Sequence, residues 1–419
     1  MSQCRLAQLS LLAALLGFNM MPVLSGGAAT AYAADAASVR PEVGKPLQTA
    51  QEDIRKGKYK DALAKIHEAE AIGGRTAYEN YMIDYMRAAA AQGAGDSALA
   101  AKSYEAVLNS GHVTGAAQTK IVQALGELYY QAKEYSKAIV WLTRYLNEGG
   151  DDARMRPLLI NAYYLSGDYA RASKETQAQI QADEKAGRTP GDEQLQMLAS
   201  CALKQNDKAG YVIALEKMLT YHPKKELWID LLTRLENKTG FNDNRLGLDV
   251  YRLKLTVGAV RSANDFMNMA ELALQAGYPS EARKIIDAAF KSGAFGSGAE
   301  ASRQKRLQDL ATKNAADDLK ALPQTEAEVS KAKDGTGMVN AGYDYVTTGQ
   351  SEKGIALMEQ GIAKGGLKHP EDAKLHLALA YLQADKKSKA LQALKTVQGT
   401  DGTAEIARYW TIEINHPLN

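Results

Sequence analysis

The sequence predicts an all-α fold, an α-solenoid of about nine to ten antiparallel helix pairs with a C-terminal capping helix. Three observations predict it. Tyr129, Ala138 and Leu142 recur as Tyr163, Ala172 and Thr176, each 34 residues later, and a unit of that length cannot bury its apolar face alone. A turn signature recurs along the chain: Gly or a small polar residue, a charge, often Tyr, and Ala three residues on. Between the turns, apolar residues fall at helical spacing.

The signature appears as Gly57-Lys58-Tyr59 with Ala62, Gly95-Asp96 with Ala100, Glu134-Tyr135 with Ala138, and Gly167-Asp168-Tyr169 with Ala172. Asn206-Asp207 with Tyr211 is a degraded copy. The signature resumes as Gly277-Tyr278 with Ala282, Gly349-Gln350 with Gly354, and Asp385-Lys386 with Ala390. Gly ends the first helix of a pair in a left-handed conformation without a Cβ penalty. Tyr packs across the turn, and Ala lets the second helix approach closely, so a bulkier residue at Ala138 or Ala172 would overpack. Leu125, Tyr129 and Leu142 fill the space between neighbouring helices.

Residues 1–33 read as a cleavable signal peptide: Arg5 is the positive start, residues 9–18 are the apolar run, and Ala31-Tyr32-Ala33 offers small residues for cleavage after Ala33. A retained N-terminal anchor is the alternative. Cys4 precedes the apolar run, so it is not the lipid-bearing cysteine of a lipoprotein. The expected localisation is periplasmic. Residues 34–48, with two prolines, read as a flexible lead-in. Residues 49–186 form the N-terminal array, 187–262 degenerate helical repeats, and 263–419 a C-terminal array. Within the last, 299–331 is one long atypical helix or hairpin, and 404–412 is a capping helix with Trp410, expected to cover the open end of the stack. Turn clusters at 183–192 and 293–298 mark joints.

These repeats resemble the tetratricopeptide repeat family, as an exported bacterial member. The resemblance is strong over 119–186, fair over 43–114, 263–296 and 335–404, and weak elsewhere. The family's early tryptophan is missing from the good copies, and its closing proline appears only near Pro223. The resemblance implies a right-handed superhelix whose concave groove binds peptides or proteins.

Charge is balanced, with 51 Lys and Arg against 49 Asp and Glu, and Arg5 is the one charge in the first 33 residues. That balance favours neither a polyanion nor an anionic membrane surface, so no nucleic-acid partner is expected; no stretch after the targeting segment looks transmembrane, so no membrane span is expected in the mature chain. Cys201, the one cysteine after the targeting segment, sits on an apolar helix face and reads as a buried hydrophobe. His67, His112, His222, His369, His376 and His416 form no metal-spaced set, so neither metal nor cofactor is expected. Asp151-Asp152 reads as a helix cap and Asp317-Asp318 as a solvated helix face. Gly335-Thr336-Gly337 follows no strand, and residues 293–298 lack the Lys-Ser/Thr of a phosphate loop. No catalytic residues are expected.

Function is then expected in the groove. Opposite the Leu125/Tyr129 stripe lie Gln123, Glu127 and Tyr130; the next repeat presents Asn161 and Tyr164. Neighbouring repeats add Tyr85 and, on the far side, Met267, Glu271 and Tyr343. Adjacent tyrosines such as Tyr129-Tyr130 cannot both face the core of one helix. Tyr offers apolar area and a hydrogen bond at low entropic cost, and amides can hold an extended backbone. Some members of the family clamp a C-terminal carboxylate; Glu127 stands where that clamp needs Asn, which argues against such a ligand. The expectation is an exported, non-catalytic scaffold binding a peptide or protein partner, in assembly or secretion of an envelope complex. The alternative is a carbohydrate-binding module of a polysaccharide export or cell-wall pathway, with glycan as ligand.

Overall fold

The computed structural model describes residues 38–418; the signal-peptide reading and the cleavage after Ala33 lie outside them. The described residues form twenty α-helices and no β-strand. They divide between Ala178 and Gln179 into two compact units. In the first, α1 (Pro41–Arg55) packs on α2 (Tyr59–Glu70), α3 (Ala77–Ala94) on α4 (Ser97–Asn109), and α5 (Gly115–Gln131) on α6 (Tyr135–Asn147). α7 (Met155–Leu165) leads into α8 (Tyr169–Lys185), within which the division falls. First helices of successive pairs also touch, α1 with α3 and α5 with α7.

The second unit pairs α9 (Asp192–Lys204) with α10 (Lys208–Tyr221), α11 (Lys225–Glu236) with α12 (Asp243–Thr256), and α13 (Ala263–Gln275) with α14 (Pro279–Lys291). A long helix, α15 (Ala301–Val329), connects α14 to α16 (Thr336–Thr347), which pairs with α17 (Ser351–Lys364). α18 (Pro370–Gln383), α19 (Lys387–Leu394) and α20 (Thr403–Asn415) complete it. Residues 299–331 thus resolve into one helix rather than a hairpin.

The turns follow the signature. Gly57, Gly95, Gly167, Gly277 and Gly349 have positive φ, and Lys133, Asn206 and Asp385 hold the same place with φ of 62°, 55° and 58°. In each, the next amide closes the six-residue hydrogen bond of a left-handed helix end, as from Asp168 N to Tyr163 O at 2.9 Å and Lys386 N to Tyr381 O at 2.8 Å. Ala62, Ala100, Ala138, Ala172, Ala282 and Ala390 are fully buried, as are Leu125 and Leu142. Cys201 is buried too, and burial pushes its thiol up to about 11.

Five expectations are corrected. The lead-in is helical from Pro41: Pro tolerates the first helical turn, where its missing N–H has no partner to lose, and Val43, Leu47, Ala50 and Ile54 make a buried stripe. The helix boundary is therefore set by burial of that stripe, which outweighs Pro46 inside it. Next, α20 does not sit on an open end. It packs on α10, α12, α18 and α19, so the second unit closes on itself. Arg408 reaches Glu216 at 2.8 Å, Lys238 pairs with Glu405, and Arg245 bridges Asp372 and Asp401.

Asp318 is the third correction. Its Oδ2 is buried against α16 rather than solvated, beside the buried Asp344. Burial first, and then the neighbouring Asp318 carboxylate, raise the Asp344 pKa well above its ordinary value, so Asp344 keeps its proton. The native state holds a proton that the unfolded chain releases in the ordinary carboxylate range. This contribution is therefore complete in acid and lost as pH rises through the raised pKa. We expect the melting temperature of the wild type to fall relative to Asp344→Asn between about pH 5 and about pH 9. Parallel pH profiles for the two proteins would refute the retained proton on Asp344. The fourth correction concerns two site residues and the fifth the expected cap at Asp152, and both are described with the site.

Candidate functional site

The first-helix face of residues 38–178 carries a row of half-exposed aromatic rings. Tyr78, Tyr81 and Tyr85 lie at i, i+3 and i+7 on α3, a spacing that stacks side chains along one face. Their ring centroids are 5.8 Å and 5.9 Å apart in succession. His112, exposed in the segment after α4, adds its ring 4.9 Å from Tyr81 and 5.6 Å from Tyr78. Burial pushes the Tyr85 hydroxyl up to about 12, so that phenol stays a neutral hydrogen-bonding group.

On α5, Gln123, Glu127 and Tyr130 are half-buried along one face. The Gln123 amide donates to Asp152 at 2.8 Å and to Glu127 at 3.3 Å, so it is engaged within the protein rather than waiting for a backbone. The Arg154 guanidinium, hydrogen-bonded to Asp152 at 2.5 Å, holds that carboxyl down at about 2 against its partial burial. Burial raises the Glu127 carboxyl, with Arg154 opposing. Asp152 also accepts from the Arg154 amide at 2.9 Å; Arg154 itself is the residue that caps α7 and no side chain caps that helix, so Asp152 makes a local turn before the helix rather than the expected cap.

Tyr130 and Tyr164 are each held edge-on by a tyrosine five residues later, across the turn of their own pair. Tyr130 lies 5.6 Å from Tyr135 and Tyr164 lies 5.3 Å from Tyr169, both near T-shaped. Both leave part of the ring open, and Asn161 is half-exposed one turn before Tyr164. Tyr85, Gln123, Glu127, Tyr130, Asn161 and Tyr164 therefore all sit, partly open, on first helices of the same unit.

The far-side residues do not join them. Tyr343 is fully buried, its ring 5.1 Å from Tyr278 and 5.2 Å from His376, with the Arg252 guanidinium 4.7 Å from its centroid. Met267 is buried in the same core. Glu271 is half-exposed and paired with Arg303 of α15 at 3.1 Å. The physical reason is packing within the second unit: α18 lies against α16 and brings His376 beside the Tyr343 ring, while Met267 sits in the core that α13 shares with α12 and α14. As groove residues Met267 and Tyr343 are corrected to core.

Sequence reasoning missed Tyr78, Tyr81, His112, Asp152 and Arg154. The spacing Tyr78-x-x-Tyr81-x-x-x-Tyr85 was a readable signal. His112, Asp152 and Arg154 stand outside the regular helical pattern and gave none. Among the described residues no group of three His, Cys, Asp or Glu side chains is placed to hold a metal, and no helix is long and apolar enough to cross a membrane.

Helix pairs, left-handed turn residues and buried alanines after six of the eight turns define an all-α repeat protein with a tetratricopeptide-like fold. No family model matches the chain, and no curated protein matches it. Solved structures are similar at low TM-score. The TPR2AB domain of yeast Sti1 in its pHSP90 complex is 14% identical over 71% of this chain and 99% of that one, with a TM-score of 0.25. Yeast Tom70 is 12% identical over 89% and 96%, at 0.23. The TPR domain of P58(IPK) is 15% identical over 88% and 98%, at 0.22. At these values the likeness carries nothing about ligand or partner.

Proposed function

We propose that the protein is an exported, non-catalytic scaffold that binds an extended peptide or a protein partner along the first-helix face of residues 38–178. The assembly or secretion of an envelope complex is the setting that suits an exported scaffold. The observation that carries the proposal is the row of partly open tyrosines on α3, α5 and α7, each held by neighbouring rings rather than by a full burial. Pre-positioned rings cost little entropy when a partner docks, and their hydroxyls can pair with its backbone. Arg5, the apolar residues 9–18 and Ala31-Tyr32-Ala33 support export.

In-cell crosslinking of the full-length tagged protein tests this, with wild type beside Tyr130→Ala/Tyr164→Ala and mass spectrometry of the captured material. We expect a protein partner in the wild type whose capture falls about tenfold or more in the variant, at unchanged helicity. Equal capture by both proteins refutes the assignment. So does a glycan-array signal that the double variant loses while no protein is captured.

A further inference from the structure

Tyr78, Tyr81 and Tyr85 of α3 form a ridged strip rather than a flat one. Successive rings are tilted by 39° and 46° at centroid separations of 5.8 Å and 5.9 Å, which leaves a shallow trough between each pair. The His112 ring, at 47° to Tyr81 and 86° to Tyr78, braces one end. Each tyrosine is half-buried and held by its neighbours, so a docking partner costs it little freedom. Among the described residues none of the three hydroxyls has a hydrogen-bond partner, and none is sealed from solvent.

Charge and hydrogen bonding restrict what can lie on the strip. The charged side chains of α3 are Glu79, Asp84 and Arg87, and all are paired within the unit. Glu79 meets Arg40 at 2.9 Å, Asp84 and Arg87 meet each other, and Arg87 also reaches Glu70. A charged segment would lose solvation there and find no counter-charge. The amide acceptors of α3 are taken as well: Asn80 Oδ1 accepts from Arg75 at 2.8 Å and Gln92 Oε1 from Tyr104 at 3.0 Å. The strip therefore offers aromatic faces and hydroxyl donors, with few free acceptors. An ordinary extended segment brings one N–H per residue, and each one covered without an acceptor costs its desolvation. A proline brings a carbonyl and no N–H.

We infer that this strip docks an uncharged, proline-rich segment of the partner in the polyproline II conformation, an inference that rests on the scaffold function proposed above. The dimensions agree. Such a segment rises about 3.1 Å per residue with three residues per turn, about 9 Å in all. Tyr78 and Tyr85, seven residues apart, are separated by roughly 10 Å along α3. One turn of the segment thus spans the strip, its prolyl rings lying in the troughs and its carbonyls accepting from the tyrosine hydroxyls. Both surfaces are rigid before they meet, which limits the entropy lost on binding.

Calorimetry of the full chain with acetyl-decaproline amide, and with a blocked glycine-serine peptide of equal length, tests the assignment. We expect decaproline to bind at least about tenfold more tightly, and Tyr81→Ala to weaken it about tenfold at unchanged helicity. Tyr81→Phe, which keeps the ring and removes the hydroxyl, should fold as the wild type does and weaken binding by a smaller factor. Equal affinity for the two peptides, no heat with decaproline at about 1 mM, or an unchanged affinity in both Tyr81 variants overturns the inference. Absence of decaproline binding, with partner capture still lost in Tyr130→Ala/Tyr164→Ala, overturns this inference and leaves the scaffold reading standing. Decaproline binding that depends on Tyr81, with equal capture by wild type and that double variant, overturns the scaffold assignment and supports the strip.

Discussion

Arg252→Ala is expected to lower the melting temperature by about 10 °C, corresponding to roughly 3–5 kcal/mol in a unit of this size. Arg252 is 7% exposed and joins three elements at once. It donates to Asp249 on its own helix at 2.6 Å and to Glu281 of α14 at 2.6 Å and 2.8 Å, and its guanidinium lies over Tyr343 of α16. Burial alone would raise the Asp249 carboxyl, yet the charges of His376 and Arg252 more than offset it and hold Asp249 at about 2. His376 Nε2 lies 3.1 Å from that carboxylate, which can only accept, so Nε2 carries the hydrogen. Removing Arg252 leaves the largely buried Glu281 without its partner and takes away half of the Asp249 pairing, and that uncompensated charge is the source of the cost. Replacing all three groups together, as Arg252→Met/Asp249→Asn/Glu281→Gln, should recover most of the loss because no buried charge is left. An Arg252→Ala protein melting within about 2 °C of wild type would show that the pairing contributes little.

Gly354→Ala should be destabilising, against the sign that helix propensity gives. Ala favours a helix over Gly by about 1 kcal/mol. α16 and α17, however, are in backbone contact here. A Cβ at Gly354 would overlap Gly342 O and lie 2.9 Å from Val346 N, and one at Gly342 would lie 2.6 Å from Met358 Cγ and 2.7 Å from Gly354 O. Two turns away, a Cβ at Gly335 would overlap the Gly361 carbonyl oxygen. Backbone atoms cannot turn aside as a side chain can, so the two helices must separate, at a cost of about 1–3 kcal/mol for a methyl and more for Gly354→Val. Thermal unfolding decides between the two effects. A raised melting temperature in Gly354→Ala would mean that propensity wins and the contact is soft.

Much of this arrangement was legible along the chain. Gly57, Gly167 and Gly277 end helices where the signature put them, and Ala62, Ala138, Ala172 and Ala390 are buried at their crossings. Such features depend on residues within about one turn of each other, so short spacings carry them. The same logic placed Gly354 at a close approach, and the i, i+3, i+7 tyrosines of α3 were readable by the same rule although their ladder went unread. The sequence by itself thus determined the helix pair, its turn and its small-residue contact.

What covers each helix face was decided by the tertiary structure alone. Arg408 meets Glu216 across 192 residues, Arg245 meets Asp401 across 156, and His376 meets Asp249 across 127. Those contacts seal Tyr343 inside and make α20 part of a closed unit rather than an end cap. Asp318 shows the same limit on one residue, since only the position of Asp344 on α16 sets its carboxylate beside a second buried carboxyl instead of solvent. Local periodicity records that a face is apolar or polar. It carries no record of the partner, because the pairing free energy arises between segments whose separation along the chain has no period.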